Sequence, residues 1–125
     1  MSKALIDQEI IFAGTTVSGT PSGSYAYFPQ SLRGQYSEWT VIVEYTSGST
    51  AGKVQVETAW ANKNQGIADY SGVWANVGST IDWATGNSQK YASVTGVFDL
   101  LRLEVTTSVA TAPVRAYVMA ASKAP

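Results

Sequence analysis

Four stretches of this chain alternate apolar and polar residues with a period of two, and that pattern most narrows what the chain can fold into. In Trp39–Tyr45, residues Trp39, Val41, Val43 and Tyr45 fall on one side and Thr40, Ile42 and Glu44 on the other. Lys53–Trp60 repeats the pattern, with Val54, Val56, Thr58 and Trp60 set against Lys53, Gln55 and Glu57. Further on, Leu101, Leu103 and Val105 alternate with Arg102, Glu104 and Thr106, and Val114, Ala116, Val118 and Ala120 with Arg115, Tyr117 and Met119. Successive side chains of a strand point to opposite faces, so each stretch predicts a strand with one apolar face. The β-branched residues in them pack well on a pleated surface and lose rotamer freedom in a helix.

Ser47–Gly52 is rich in turn residues and joins the first two stretches, which reads as a hairpin. Its outward Lys53, Gln55 and Glu57 suit a solvated sheet face. A second hairpin is expected around Ser108–Pro113, whose proline suits the start of a strand. Weaker strand signals lie at Glu9–Ala13, Ser24–Phe28, Val73–Val77 and Tyr91–Phe98. The total is about eight antiparallel strands, which predicts an all-β sandwich or jelly roll because two half-apolar sheets must cover one another. Val41, Val43, Val56, Leu103 and Val118 sit centrally in the apolar register and are the expected core.

A chain of 125 residues is enough for one such domain, residues 1–125, with residues 1–13 as a candidate N-terminal arm. In that arm Ile10, Ile11 and Phe12 stand in succession, whereas a strand with one wet face buries only alternate residues. The run therefore needs cover on both sides, from its own sandwich or from a neighbouring subunit. The eight basic and nine acidic residues are scattered singly, so nothing resembles the basic stripe that neutralises successive phosphates, and nucleic acid is not an expected partner. No apolar run approaches a membrane span, and Asp7 and Glu9 interrupt the apolar stretch near the N-terminus.

The chain contains neither cysteine nor histidine. Disulfides, thiolate nucleophiles and the two best transition-metal ligands are thereby removed, as is the usual general base near neutral pH. The expectation is a protein made in a reducing cytoplasm, without cofactor or metal and without catalysis. A pair of carboxylates remains the minimum for glycoside hydrolysis, and Asp69 with Asp82 is the first pair to consider. Asn62, Asn64 and Asp69 are too loosely spaced for a calcium loop, and Lys63 intrudes among them. Trp60, Tyr70, Trp74 and Trp83 gather with amides in the manner of a sugar-binding platform, where rings stack on pyranose faces. The competing account makes Trp60 and Trp74 core residues at strand ends, and it is preferred because large rings dominate sandwich packing.

The order of signals, Trp39-Thr40-Val41-Ile42-Val43, Gly52-Lys53-Val54-Gln55-Val56-Glu57, Trp74, Tyr91, Leu101-Arg102-Leu103-Glu104-Val105 and Val114-Arg115-Ala116-Tyr117-Val118, resembles small β-sandwich virion proteins of tailed bacteriophages. Capsid decoration, or cement, proteins are among them, and the similarity covers roughly Tyr36 to Ala121. The resemblance implies a structural subunit of the virion, frequently trimeric, that clamps the major capsid protein or another virion protein. Ile10, Ile11 and Phe12 are then interface candidates. The alternative is a carbohydrate-binding module, lectin-like or receptor-binding, using Trp60, Tyr70, Trp74 and Trp83.

Overall fold

The computed structural model describes residues 5–10, 23–29, 34, 36–45, 52–61, 66, 70–83, 88–107 and 114–121. Within them lie nine strands and no helix: β1 (Leu5–Ile10), β2 (Tyr25–Tyr27), β3 (Glu38–Tyr45), β4 (Gly52–Ala59), β5 (Ala75–Asn76), β6 (Ile81–Trp83), β7 (Ser88–Thr95), β8 (Leu100–Thr107) and β9 (Val114–Ala121). The four strongly alternating stretches are β3, β4, β8 and β9. The weaker signals shift by a few residues: the first strand starts at Leu5 and its described part ends at Ile10, while Val73–Val77 shrinks to β5. The short β6 carries no alternation long enough to read from sequence.

Two antiparallel sheets form, sheet I in the order β1-β9-β3-β7 and sheet II in the order β2-β8-β4-β5, with β6 also on β4. β5 and β6 lie along the same edge of β4, opposite Glu57–Thr58 and Gly52–Val54, and act as one interrupted edge strand. The pairs are nested: β1 with β9, β2 with β8, β3 with β7, and β4 with β5 and β6. Those pairs alone would make one long hairpin. The additional pairs β3–β9 and β4–β8 roll that hairpin up on itself, which is the jelly-roll winding of a β-sandwich.

The two expected hairpins do not exist. β3 belongs to sheet I and β4 to sheet II, and likewise β8 and β9 lie in different sheets. Residues 46–51 and 108–113 join them, and such a length spans up to roughly 20 Å, ample for sheets about 10 Å apart. Alternation fixes which face of a strand is buried; it does not fix the neighbour on either side.

One core lies between the sheets. Trp39, Val41, Val43, Ala116, Val118 and Ala120 come from sheet I, and Ala26, Val54, Val56, Ile81, Leu101, Leu103 and Val105 from sheet II. The expected core residues Val41, Val43, Val56, Leu103 and Val118 are all buried. At one end Trp39 meets Phe28, Tyr36 and Phe98 at ring separations of 5.7, 5.9 and 6.5 Å, and its indole N–H donates to the Gly96 carbonyl at 3.2 Å. Gly96 itself has φ of 150°, and a Cβ there would come within 2.8 Å of the Phe98 ring, so only glycine suits this corner.

The interruption between β5 and β6 is held from the outer face of sheet II. Gly78 turns the chain at φ of 69°, and the Gln55 amide donates towards the carbonyls of Val56, Val77 and Gly78 at 2.9, 3.2 and 3.3 Å. A side chain thus supplies donors where the edge ladder stops.

Leu103→Ala should lower stability by about 2–5 kcal/mol, because the side chain is fully buried between the sheets and its removal leaves a cavity. Urea denaturation measures this. Thr106→Ala, on the exposed outer face of the same strand, should leave the midpoint nearly unchanged.

Candidate functional site: the outer faces of the two sheets

Directly opposite residues of an antiparallel pair share a face. Across the outer face of sheet II, one row therefore reads Tyr27, Arg102, Glu57, Asn76 and the next Tyr25, Glu104, Gln55. Arg102 is the centre. Its guanidinium lies 4.1 Å from the Tyr25 ring centroid and 4.2 Å from that of Trp74, while its Nε donates to Glu57 Oε1 at 2.6 Å. A planar cation between two ring faces, paired to a carboxylate, combines cation–π attraction with a charge-assisted hydrogen bond.

The Tyr70–Trp74 segment closes over this row. Tyr70 packs edge-on against Trp74 at 5.6 Å and 87°, and its hydroxyl donates to the Val73 carbonyl at 2.8 Å. Both rings rest on a small second cluster of Ala59, Ala61 and Leu100, and the Ala61 amide donates to Asp99 Oδ2 at 2.6 Å. The cover explains a departure from the sequence reading. Lys53 is solvated as expected, but Gln55 is only 5% exposed and Glu57 7%, because the outer face above them is roofed.

Two carboxyls, Glu57 and Glu104, therefore share one guanidinium. Burial, the neighbouring Glu57 charge and a hydrogen bond to Glu57 hold the Glu104 carboxyl above its ordinary value of 4.5, against the smaller opposing effects of Tyr25 and Arg102. Tyr25 is raised as well, first by burial and then by the Glu104 charge. Glu57, bonded to Arg102, pins the roof through that guanidinium and the Trp74 ring above it.

The outer face of sheet I has a different character. Its central row reads Glu9, Tyr117, Ile42, Tyr91 across all four strands, and the next reads Asp7, Met119, Thr40, Ser93. Tyr91 is 74% exposed, with Met119 also exposed. Beside Met119 the small residues Thr40, Ser93 and Ala121, with Glu38 and Thr95, leave a shallow depression of about 300 Å³. Glu44 accepts a hydrogen bond from Gln89 at 2.9 Å, at the far margin of the same face.

The residues singled out from sequence scatter. Trp60 is 77% exposed at the end of β4, which overturns its assignment to the core. Trp74 also lies outside the main core, but its ring is engaged with Arg102 and Tyr70. Tyr70 and Trp74 are together. The backbone of Trp83 pairs with Gly52 at the opposite end of β4, roughly 20 Å along the strand from the end near Trp74. Asp82 is exposed and accepts from Thr80 Oγ1 at 2.5 Å, whereas Asp69, Asn62 and Asn64 lie outside the described residues. Ile10 ends β1, paired with Ala116 of its own chain; Ile11 and Phe12 lie outside the described residues. Among the described residues no group of His, Cys, Asp and Glu is placed to hold a metal ion, and no helix is long and apolar enough to cross a membrane. Sequence reasoning missed the Tyr25–Arg102–Glu104 cluster, whose members look like ordinary outward strand residues until the register sets them side by side.

Comparison with protein families, with curated proteins and with solved structures finds no match to this chain.

Because the folded state holds Glu104 above its ordinary value, it binds that proton more tightly than the unfolded chain does. Its contribution to stability is present in full below the unfolded value and is lost as pH rises through the folded one. Glu104→Gln should therefore flatten the fall in melting temperature between acid and neutral pH relative to the parent. Parallel melts of the two proteins across that window measure it, and identical pH slopes would contradict a raised Glu104 carboxyl.

Proposed function

We propose that this chain is a non-catalytic structural protein of a bacteriophage virion, a homotrimeric decoration or cement protein that stabilises the shell by binding the major capsid protein or another virion subunit. The observation that carries the reading is the row Tyr117, Ile42, Tyr91 on the outer face of sheet I, in which Tyr91 is exposed beside half-buried Ile42 and Tyr117, with Met119 exposed next to it. Tyrosine and methionine are enriched where proteins meet, and a sheet face with apolar residues at its centre is a surface for partial burial rather than for chemistry. The order of strands that resembles phage virion proteins supports it, as does a jelly-roll winding, an architecture used by capsid and lectin domains. A protein in this role is made in the host cytoplasm and ends in the virion. Its partners on this reading are other protein subunits, not nucleic acid or membrane.

A second reading, a carbohydrate-binding module, is favoured by the open ring of Trp60. Trp74 serves it poorly, since the ring it would stack on sugar is taken up by Arg102.

Purified protein mixed with shells of the source phage stripped of it should sediment with them. Ile42→Asp combined with Tyr91→Asp should weaken that retention at least tenfold with the circular dichroism spectrum unchanged, the scale expected when anchors at the centre of an interface are lost. Absence of retention by the parent chain, or retention unaffected by the double substitution, would count against decoration. Glycan binding abolished by Trp60→Ala in a folded protein would transfer the function to the second reading.

A further inference from the structure

Leu100 and Ala59 pair directly on the outer face of sheet II, the face turned away from sheet I, yet both are buried, as is Ala61 beside them. Their cover is Tyr70 and Trp74. That covering segment is bound closely to itself. The Tyr70 hydroxyl donates to the Val73 carbonyl, the two rings meet edge-on, and a Cβ on Gly72 would collide with the Tyr70 ring. Its attachments to the sandwich are fewer: the small floor of two alanines and a leucine, Tyr27 at a ring separation of 6.4 Å, and the Trp74 ring over Arg102. Regions held by few apolar contacts are the ones that open locally. We infer that Tyr70–Trp74 is a lid that lifts from sheet II while the sandwich stays folded, that Arg102 is its latch, and that ionisation of Glu104 releases the latch.

The register gives the latch a direction. Successive outer rows of sheet II hold Leu100 and Ala59, then Arg102 and Glu57, then Tyr25, Glu104 and Gln55. Trp74 directly precedes the Ala75–Thr58 pair, so it belongs over the first of these rows. Arg102 meets Trp74 on one side and Tyr25 on the other, at 4.2 and 4.1 Å from the ring centroids. Glu104 therefore stands beside Arg102 on the side away from Trp74. Of the guanidinium's several N–H donors, among the described residues the one on Nε is bonded, to Glu57 at 2.6 Å. Once ionised, Glu104 competes with Glu57 for this cation and attracts its remaining donors towards the Tyr25 row. The guanidinium then leaves the indole face that holds the lid down.

Proton linkage gives the same sign. With the lid closed, the Glu104 carboxyl is held above its ordinary value of 4.5, first by burial and then by the Glu57 charge. Lifting the lid admits water and relieves the burial, so the open state binds this proton less tightly. Closure is supported in full below the ordinary value, and the lid loosens as pH rises through the closed-state value. The other charged and titratable groups facing the latch, among the described residues, are Glu57 of β4, Tyr25 and Tyr27 of β2 and Tyr70 of the lid itself. Lys53 and Asp82 lie further along the same face, exposed and opposite each other. Tyr25 is held above its ordinary value of 10.0, first by burial, so it keeps its proton while Glu104 titrates.

Methyl groups packed beneath aromatic rings have their NMR resonances displaced by ring currents, so those of Ala59, Ala61 and Leu100 report on the lid and those of Val41 and Val118 on the core. In a titration of the parent protein from acid to neutral pH, the floor methyls should move together towards the positions of uncovered side chains, with one midpoint above 4.5. The methyls of Val41 and Val118 should stay fixed. Glu104→Gln should hold the floor methyls at their acid positions throughout. Arg102→Lys keeps the charge but has no flat faces to stack, so its floor methyls should be uncovered at every pH. Stationary floor methyls in the parent would overturn the inference. So would core methyls that move with the same midpoint, Glu104→Gln tracking the parent, or a floor that stays covered in Arg102→Lys. Should Arg102→Lys fail to fold, the titrations of the parent and of Glu104→Gln decide alone.

Discussion

Each sheet has one apolar face, and neither face is stable until the other covers it. That mutual cover, made by the valines of β3, β4, β8 and β9 with Leu101 and Leu103, is what every other feature depends on. It accounts for the path of the chain. Consecutive strands are placed in opposite sheets at nearly every step, so each connection adds cover to a half-built core instead of widening one sheet. The sheets then leave two outer faces of unlike character, one roofed over charge and one open around tyrosines.

The roofed face illustrates how a charged residue is kept beneath a loop. Arg102 has its flat surfaces against Tyr25 and Trp74 and its Nε on Glu57, so the cation meets π-density and a carboxylate in place of water. The Glu104 carboxyl beside this pair is held above its ordinary value by burial and by the Glu57 charge. The arrangement fixes Trp74, which with Tyr70 covers Ala59, Ala61 and Leu100. Gln55 performs a related task further along β4, where its amide reaches the carbonyls at the break between β5 and β6.

The sequence was informative where a single strand determines the outcome and silent where two strands do. Alternation in β3, β4, β8 and β9 identified the strands and their buried sides, because side-chain direction is set by the backbone one residue at a time. The hairpin expectation for β3 with β4 failed because turn-rich connectors look alike whether they reverse within a sheet or cross between sheets. Glu57 read as solvated for the same reason: its environment is made by Arg102 of β8 and by Trp74 above it, distant in sequence. Trp60 misled through its parity with Val54 and Val56. It continues their side of the strand, but by that point β4 has run out of sheet to be covered.

The nesting of the strand pairs has a further consequence, for the order in which the protein can acquire structure. β1 has its described partner in β9, with Leu5 opposite Ala121, so the first of the described strands must wait for the last of them. The pair nearest in sequence, β4 with β5 and β6, is short, with two and three residue pairs. A nascent chain emerging from the ribosome can therefore assemble sheet II and the β3–β7 pair first, but cannot complete sheet I before residues 114–121 appear. Through that interval β3 lacks its β9 neighbour and the core lacks Ala116, Val118 and Ala120, as in other folds dominated by distant pairings, which form slowly and are vulnerable to aggregation while they do.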